Sequence, residues 1–225
     1  MRIASLFSGG KDSVYATYLA ERDGHDIDCL VTIHPMRSDS YMFHTVNLHV
    51  TELQARSWGK RIISGASSGV KESELEDLKR VLSRLDVEGV VSGAIASNYQ
   101  KNRVERVCEE MDLRAVTPLW GRAPARILDE MLSSGMVIIV TAVAAMGLDE
   151  GWLGRKIDGD AYNALLSLNS KYGVDVCGEG GEYETLVLDA PWFDRAIEVI
   201  EAEGDWDGVR GTYVVKRAEL VLMDT

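Results

Sequence analysis

Ser8-Gly9-Gly10-Lys11-Asp12-Ser13 is the densest concentration of chemically capable residues in the 225-residue sequence. Adjacent glycines let backbone N–H groups approach phosphate oxygens with no Cβ in the way. Ser8 and Ser13 can donate hydroxyl hydrogen bonds to the same anion, and Lys11 adds a point charge. A carboxylate in a bare anion nest would repel its ligand, whereas beside a Mg²⁺ bridging two phosphates it attracts, so Asp12 predicts a metal–nucleotide complex with itself as the protein ligand to the metal. The spacing excludes two common phosphate motifs. G-x-x-x-x-G-K-[ST] needs Gly at 5 and Ser or Thr at 12, where Ser5 and Asp12 stand, and no G-x-G-x-x-G follows. A turn that only reverses the chain would also use Ser, Gly and Asp, but has no need of a lysine and two serines in register.

The second concentration is acidic. Gly178-Glu179-Gly180-Gly181-Glu182-Tyr183-Glu184-Thr185 holds three glutamates and three glycines in eight residues, a composition that a plain strand tolerates badly. Isolated, such a stretch reads as an exposed turn. The charge distribution adds to it: residues 1–118 carry 15 basic and 17 acidic groups, and 119–225 carry 9 and 19, so the back half alone has a net charge of −10. That asymmetry is either a solvated acidic face or a surface that meets something cationic.

The elements that must position these residues follow from periodicity. Ile3–Phe7 is a short apolar run that predicts a buried strand, and Val14–Arg22 has apolar and aromatic residues at helical spacing, so the Ser8–Ser13 segment is the turn from strand to helix. Strands are expected at 27–33, 61–63 and 89–93, with helices at 46–58, 73–85 and 104–111. This alternation is that of a doubly wound parallel sheet, an α/β fold of the Rossmann-like kind, over the first 118 to 120 residues. In such a sheet the ligand lies beyond the strand ends at the switch point, which puts part of a nucleotide against backbone near Ile33 and Gly93. Pro118 and the 121–124 segment punctuate the chain, and a smaller α+β domain is expected over 121–225, with a helix near 127–132, a strand at 136–143, a helix near 161–168 and strand-like runs at 185–188, 196–200 and 213–223. No internal repeat or long linker separates the two parts, so they are expected to pack tightly.

Composition bounds the partners. With 24 basic and 36 acidic residues the net charge is −12, which argues against unaided wrapping of a phosphate backbone, so no direct nucleic-acid partner is expected. Cys29, Cys108 and Cys177 form no CxxC pair, which signals neither a disulfide framework nor a zinc site and suits a reducing cytoplasm. Cys177 reads as a small buried residue rather than a sulfur carrier. The longest apolar run, 136–145, is half a membrane span, so a soluble cytoplasmic protein with no membrane partner is expected, and homo-oligomerisation is left open.

The Ser-Gly-Gly-x-Asp-Ser segment at the end of the first strand resembles the pyrophosphate loop of the ATP pyrophosphatases, the adenine nucleotide alpha hydrolase-like fold. Three further segments, Ser40-Tyr41-Met42-Phe43-His44, Gly93–Gln100 with Arg103, and Gly178–Thr185, together with Pro118-Leu119-Trp120 and Trp152-Leu153-Gly154-Arg155, are similar to the diphthine–ammonia ligase family over nearly the whole chain. The resemblance implies that ATP, with Mg²⁺, activates the carboxylate of diphthine on translation elongation factor 2, and that ammonium then gives diphthamide, AMP and pyrophosphate. It implies nucleotide binding by Ser8, Gly9, Gly10, Lys11, Asp12, Ser13, Ile33 and Gly93, and catalytic roles for Lys11, Asp12 and Glu182. Substrate contacts are implied for Ser40, Tyr41, His44, Tyr99, Gln100, Arg103, Glu179, Glu182, Glu184 and Thr185. Gln100 and Arg103 lie i, i+3 on one helical face and could reach ligand or each other. Asn98 stands where relatives usually have Asp, which removes the charge there. With no fused glutaminase in view, free ammonium is the expected nitrogen donor. Diphthine carries a quaternary ammonium, so both it and ammonium suit a carboxylate cluster beside an aromatic such as Tyr183 or Trp192. The rival readings are a transfer-RNA modifying ATP pyrophosphatase and a non-catalytic ATP-sensing module.

Overall fold

The computed structural model describes residues 1–35, 46–67 and 73–222. From the N-terminus β1 (Arg2–Leu6), α1 (Lys11–Arg22), β2 (Asp26–Pro35), α2 (Thr51–Ser57), β3 (Ile62–Ser67), α3 (Ser73–Leu82), β4 (Gly89–Val91), α4 (Asn98–Glu110) and β5 (Arg114–Val116) alternate. All five strands run parallel, in the order β3-β2-β1-β4-β5. The chain leaves β1 toward β2 and β3, then returns to the other side for β4 and β5. That reversal opens a crevice beyond the carboxyl ends of β1 and β4. Ile3, Ala4, Val90 and Val91 have no exposed surface, as strands covered on both faces by helices require.

The second part supplies α5 (Pro124–Ser133), β6 (Val137–Val143), α6 (Gly159–Tyr172), β7 (Tyr183–Asp189), β8 (Ala196–Trp206) and β9 (Gly211–Val221). Pro124 opens α5, where its missing N–H has no helical partner to lose. The four strands form an antiparallel sheet in the order β7-β6-β9-β8. One apolar cluster joins both parts: Ile3, Val14 and Leu30 from the first pack in the same core as Ile127, Met131, Ile138 and Val187 from the second. The expected α/β sheet with a smaller α+β part is the observed architecture. A domain boundary near residue 120, in the turn between β5 and α5, remains our proposal. Among the described residues no helix is long and apolar enough to cross a membrane.

Several element limits differ from those predicted. Helix α1 starts at Lys11 rather than Val14, and α4, which carries Gln100 and Arg103 as expected, starts at Asn98, capped by the Ser97 hydroxyl that accepts the Gln100 N–H at 3.4 Å. Strand β3 covers 62–67 rather than 61–63, because it follows β2 in register to Pro35. Strand β5 was not anticipated, and β8 runs to Trp206 rather than ending near 200. Its acidic residues Glu198, Glu201, Glu203 and Asp205 suppress the apolar signal, while the backbone ladder to β9 holds the strand regardless.

Candidate active site

A crevice opens at the switch point, lined from the first part by residues that include Phe7, Ser8, Gly10, Ile33 and Gly93 and from the second by residues of the 177–185 stretch. Its floor is the loop between β1 and α1. Gly9 has φ +78°, a left-handed conformation that a β-carbon would strain. The Gly9 carbonyl accepts the Val187 N–H of β7 at 3.0 Å and the Gln54 side-chain amide of α2 at 2.8 Å, and the same amide nitrogen donates to the Val187 carbonyl at 2.7 Å. Gln54, fully buried, therefore bolts the loop to both neighbours. The Ser13 hydroxyl donates to the Gly10 carbonyl at 3.0 Å and accepts the Ser8 N–H at 3.2 Å. Ser8 Oγ lies 3.2 Å from Ser13 Oγ, so the two serines shape the loop as well as line the crevice.

Helix α1 begins after Gly10, which has no side chain to cap it. Thr185 on β7 takes that role from 174 residues away, its hydroxyl accepting the Lys11 N–H at 3.1 Å. The Lys11 side chain is 2% exposed. Its ammonium donates to Asp12 Oδ2 at 2.8 Å and to the Cys177 carbonyl at 2.5 Å, and lies 5.2 Å from the centre of the Tyr183 ring. Burial by itself pushes an ammonium down, but the Asp12 carboxylate opposes it and prevails, so the Lys11 pKa is raised and the group stays charged. Lys11 lines the crevice, with its charge turned into the wall, toward Asp12 and the acidic segment. Burial pushes the Cys177 thiol up to about 12, and the thiol donates to the Pro124 carbonyl at 3.1 Å. That is a neutral packed cysteine, not a sulfur nucleophile.

The three glutamates of the acidic segment have three different settings. Glu179 Oε2 accepts N–H groups from Ile95 (3.2 Å), Ala96 (2.8 Å) and Ser97 (3.1 Å), so this carboxylate seats at the N-terminus of α4 and ties the segment across the crevice. Glu182 Oε1 accepts from Asp175 N–H at 3.1 Å and Oε2 from Gly180 N–H at 2.8 Å, bracing its own turn. Glu179, Glu184 and Thr185 line the crevice, and Glu182 does not. Gly178, with φ +73°, packs where a Cβ would lie 2.7 Å from the Tyr183 carbonyl oxygen.

Ser8, Gly10, Lys11, Asp12, Ser13, Ile33 and Gly93 line the same crevice, and Gly9 lies beneath it. A Cβ on Gly93 would come within 2.8 Å of the Asp12 backbone, so only glycine allows the β4 and β1 loops to approach this closely. Gln100 reaches the crevice from α4, whereas Tyr99 and Arg103 are not among its lining residues. The Arg103 guanidinium stacks on Tyr99 at 5.0 Å and approaches the buried Glu74 of α3 at 3.7 Å. Ser40, Tyr41 and His44 lie outside the described residues. Among the described residues no three His, Cys, Asp or Glu side chains gather as a metal cage. One carboxylate facing a phosphate loop is what Mg²⁺ asks of a protein when phosphates and water complete its shell, and Asp12 meets that requirement.

A glycine-rich phosphate loop at the switch point of a 3-2-1-4-5 parallel sheet defines a nucleotide-binding α/β protein. Sequence comparison narrows the class. The diphthamide synthase N-terminal domain profile matches residues 1–115 and the diphthamide synthase C-terminal domain profile matches residues 123–221, so this chain belongs to the diphthamide synthase family. It is 41% identical over 226 residues to the diphthine–ammonia ligase of Bos taurus, covering 90% of this chain and 84% of that one. The Homo sapiens diphthine–ammonia ligase is 40% identical with the same coverage, and that of Danio rerio is 40% identical with coverage of 90% and 87%.

Proposed function

We propose that this protein is an AMP-forming carbon–nitrogen ligase that amidates the diphthine carboxylate of translation elongation factor 2 with ammonium at the expense of ATP. The observation that carries the reading is the meeting, in one crevice, of the Ser8–Ser13 loop with the Glu179–Thr185 wall in a member of the diphthamide synthase family. A carboxylate resists attack by an amine until it bears a leaving group, so the reaction needs a site that favours pyrophosphate departure next to one that holds a cation. Gln54 and Val187 hold the Gly9 carbonyl and Thr185 the Lys11 N–H, which fixes the loop backbone before any ligand arrives. Preorganised donors of this kind stabilise charge developing on the leaving group, and losing one costs roughly 3 kcal/mol of barrier. Asp12, oriented by the Lys11 ammonium, would hold Mg²⁺, which when bound neutralises phosphate charge. Glu184 faces the crevice and suits the cationic part of either substrate.

The test is pyrophosphate release from ATP by the purified protein with diphthine-bearing elongation factor 2 and ammonium. Release that requires all three components is expected. Release with transfer RNA instead would replace this reading with a transfer-RNA modifying one, and ATP binding without release under every condition would replace it with a sensing role. Within the reading, Glu184→Gln lowers amidation at least tenfold while ATP affinity stays within twofold; equal losses in both assays would remove Glu184 from substrate contact.

A further inference from the structure

We propose that Asn47 is a positioning residue for ATP: its side chain pins to β9 the two residues on either side of it, Val46 and Leu48, which form an apolar flank of the crevice for the base. This rests on the reading of the crevice as a nucleotide site. Asn47 has a left-handed backbone, φ +61° and ψ +18°, and is 3% exposed. Asparagine reaches that region more often than most side chains, but a buried one also needs partners for its amide.

Those partners lie in the second part of the chain. Asn47 Nδ2 donates to the Tyr213 carbonyl at 2.9 Å, and Oδ1 accepts the Val215 N–H at 2.8 Å. Strand β6 pairs with β9 at Gly211 and Thr212 and no further, and Tyr213 and Val215 come next along β9. The single Val215 amide proton goes to Asn47, so this is the edge of β9 turned away from β8. One side-chain amide thus serves β9 as a peptide unit of a neighbouring strand would, meeting an acceptor and a donor two residues apart. The turn that follows is held as well. Val50 packs with Ile139, Leu186 and Val215 in one apolar cluster, and the Thr51 hydroxyl donates to the Leu48 carbonyl at 2.5 Å.

Val46 and Leu48 line the crevice together with Phe7 and Ile33. With the phosphates on the Ser8–Ser13 loop, the part of ATP that has apolar faces is its base, and these four side chains suit it. Asn47 itself is not among the lining residues, yet it sets the place of this flank, because Val46 and Leu48 cannot shift without parting the amide from β9. A grip on the base is remote from the reacting phosphorus and is the same in ground state and transition state. Loosening it therefore raises the KM for ATP and leaves kcat alone.

Asn47→Gly keeps the left-handed backbone without strain and deletes the amide. Asn47→Asp keeps the acceptor for Val215 and sets a carboxylate oxygen against the Tyr213 carbonyl. Calorimetry with ATP and with inorganic triphosphate, each with Mg²⁺, separates the base from the phosphates. Both variants should bind ATP at least fivefold more weakly than the wild type and inorganic triphosphate within twofold of it. In the amidation assay the KM for ATP should rise by the same factor, with kcat within twofold. ATP affinity within twofold of the wild type in Asn47→Gly would mean that the position requires a left-handed backbone and nothing more, which overturns the proposal. An equal loss of triphosphate binding overturns it too, since damage to the whole fold would then explain both. If Asn47→Gly does not fold, Asn47→Asp decides by the same two ratios. A wild type that binds ATP without amidating the elongation factor removes the ligase reading, and the titrations still decide the role of Asn47. A folded wild type that binds neither ATP nor triphosphate overturns the nucleotide reading and this proposal together.

Discussion

Gly9→Ala, alone and in a Gln54→Ala background, tests whether the buried glutamine is the wall that fixes the phosphate loop. At Gly9 an ideal Cβ falls 2.4 Å from Gln54 Oε1 and 3.1 Å from Thr51 Cγ2, at φ +78°. The left-handed backbone costs an alanine about 1–2 kcal/mol, and the overlap with a close-packed side chain adds about 1–3 kcal/mol. Gly9→Ala should therefore destabilise by about 2–5 kcal/mol. Gln54→Ala removes two amide hydrogen bonds and leaves a void, for about 2–4 kcal/mol. In that background the closer clash partner is gone, so adding Gly9→Ala costs about 1–2 kcal/mol. The double variant should then be more stable than the sum of the singles by about 1–3 kcal/mol, beyond the ~0.5 kcal/mol within which independent sites add. Urea unfolding of the four proteins measures the cycle, and ATP titration should show the singles weakened with the loop. Additivity within ~0.5 kcal/mol would refute the placement of Gln54 against Gly9.

Glu179→Ala removes the acceptor of three backbone N–H groups, and hydrogen exchange at residues 95–97 should accelerate at least tenfold; unchanged protection there would separate Glu179 from the start of α4. Thr185→Val removes the side-chain cap of α1 and should cost about 1 kcal/mol in unfolding free energy, with no loss in the already capped α6 as judged by exchange. Burial pushes Cys29 and Cys108 up to about 11 and Cys177 to about 12, against an ordinary 9.0. A thiol held neutral contributes stability that is fully present below pH 9 and is lost as pH rises toward these values, because the unfolded chain releases its protons first. Unfolding free energy should thus fall above pH 9, and iodoacetamide at pH 8.5 should label none of the three thiols until denaturant is added; rapid labelling of the folded protein would contradict their burial.

The loop's place between β1 and α1 was legible because it is local: six consecutive residues carry the glycines, hydroxyls and charges, and the apolar run before them predicts the strand. The parallel sheet was legible for the same reason, since strand and helix periods alternate. What escaped depends on contacts between distant positions. Gln54 is one more polar residue on an amphipathic helix until β7 brings Val187 beside it, 133 positions later. The division of labour among Glu179, Glu182 and Glu184 could not be read from a glycine-rich acidic run, because the three N–H partners of Glu179 lie 82 to 84 positions upstream. Strand β5 has only three residues, two of them exposed, and no alternation to detect.

These distant contacts share a direction. The Gly9 carbonyl is held by Val187, the Lys11 N–H by Thr185, the Lys11 ammonium by the Cys177 carbonyl, and the start of α4 by Glu179. Every one of these ties runs from the 177–187 stretch of the second part to the nucleotide face of the first. The Ser8–Ser13 loop therefore owes its geometry to the same stretch that supplies the acidic wall of the crevice. A substrate that shifts Glu184 or Glu179 acts on β7 and the turn before it, and so on the hydrogen bonds that position Gly9 and Lys11. If the crevice binds two substrates as proposed, β7 is the element that would couple them, because it carries Glu184 at the acidic wall and holds Gly9 and Lys11 through Val187 and Thr185.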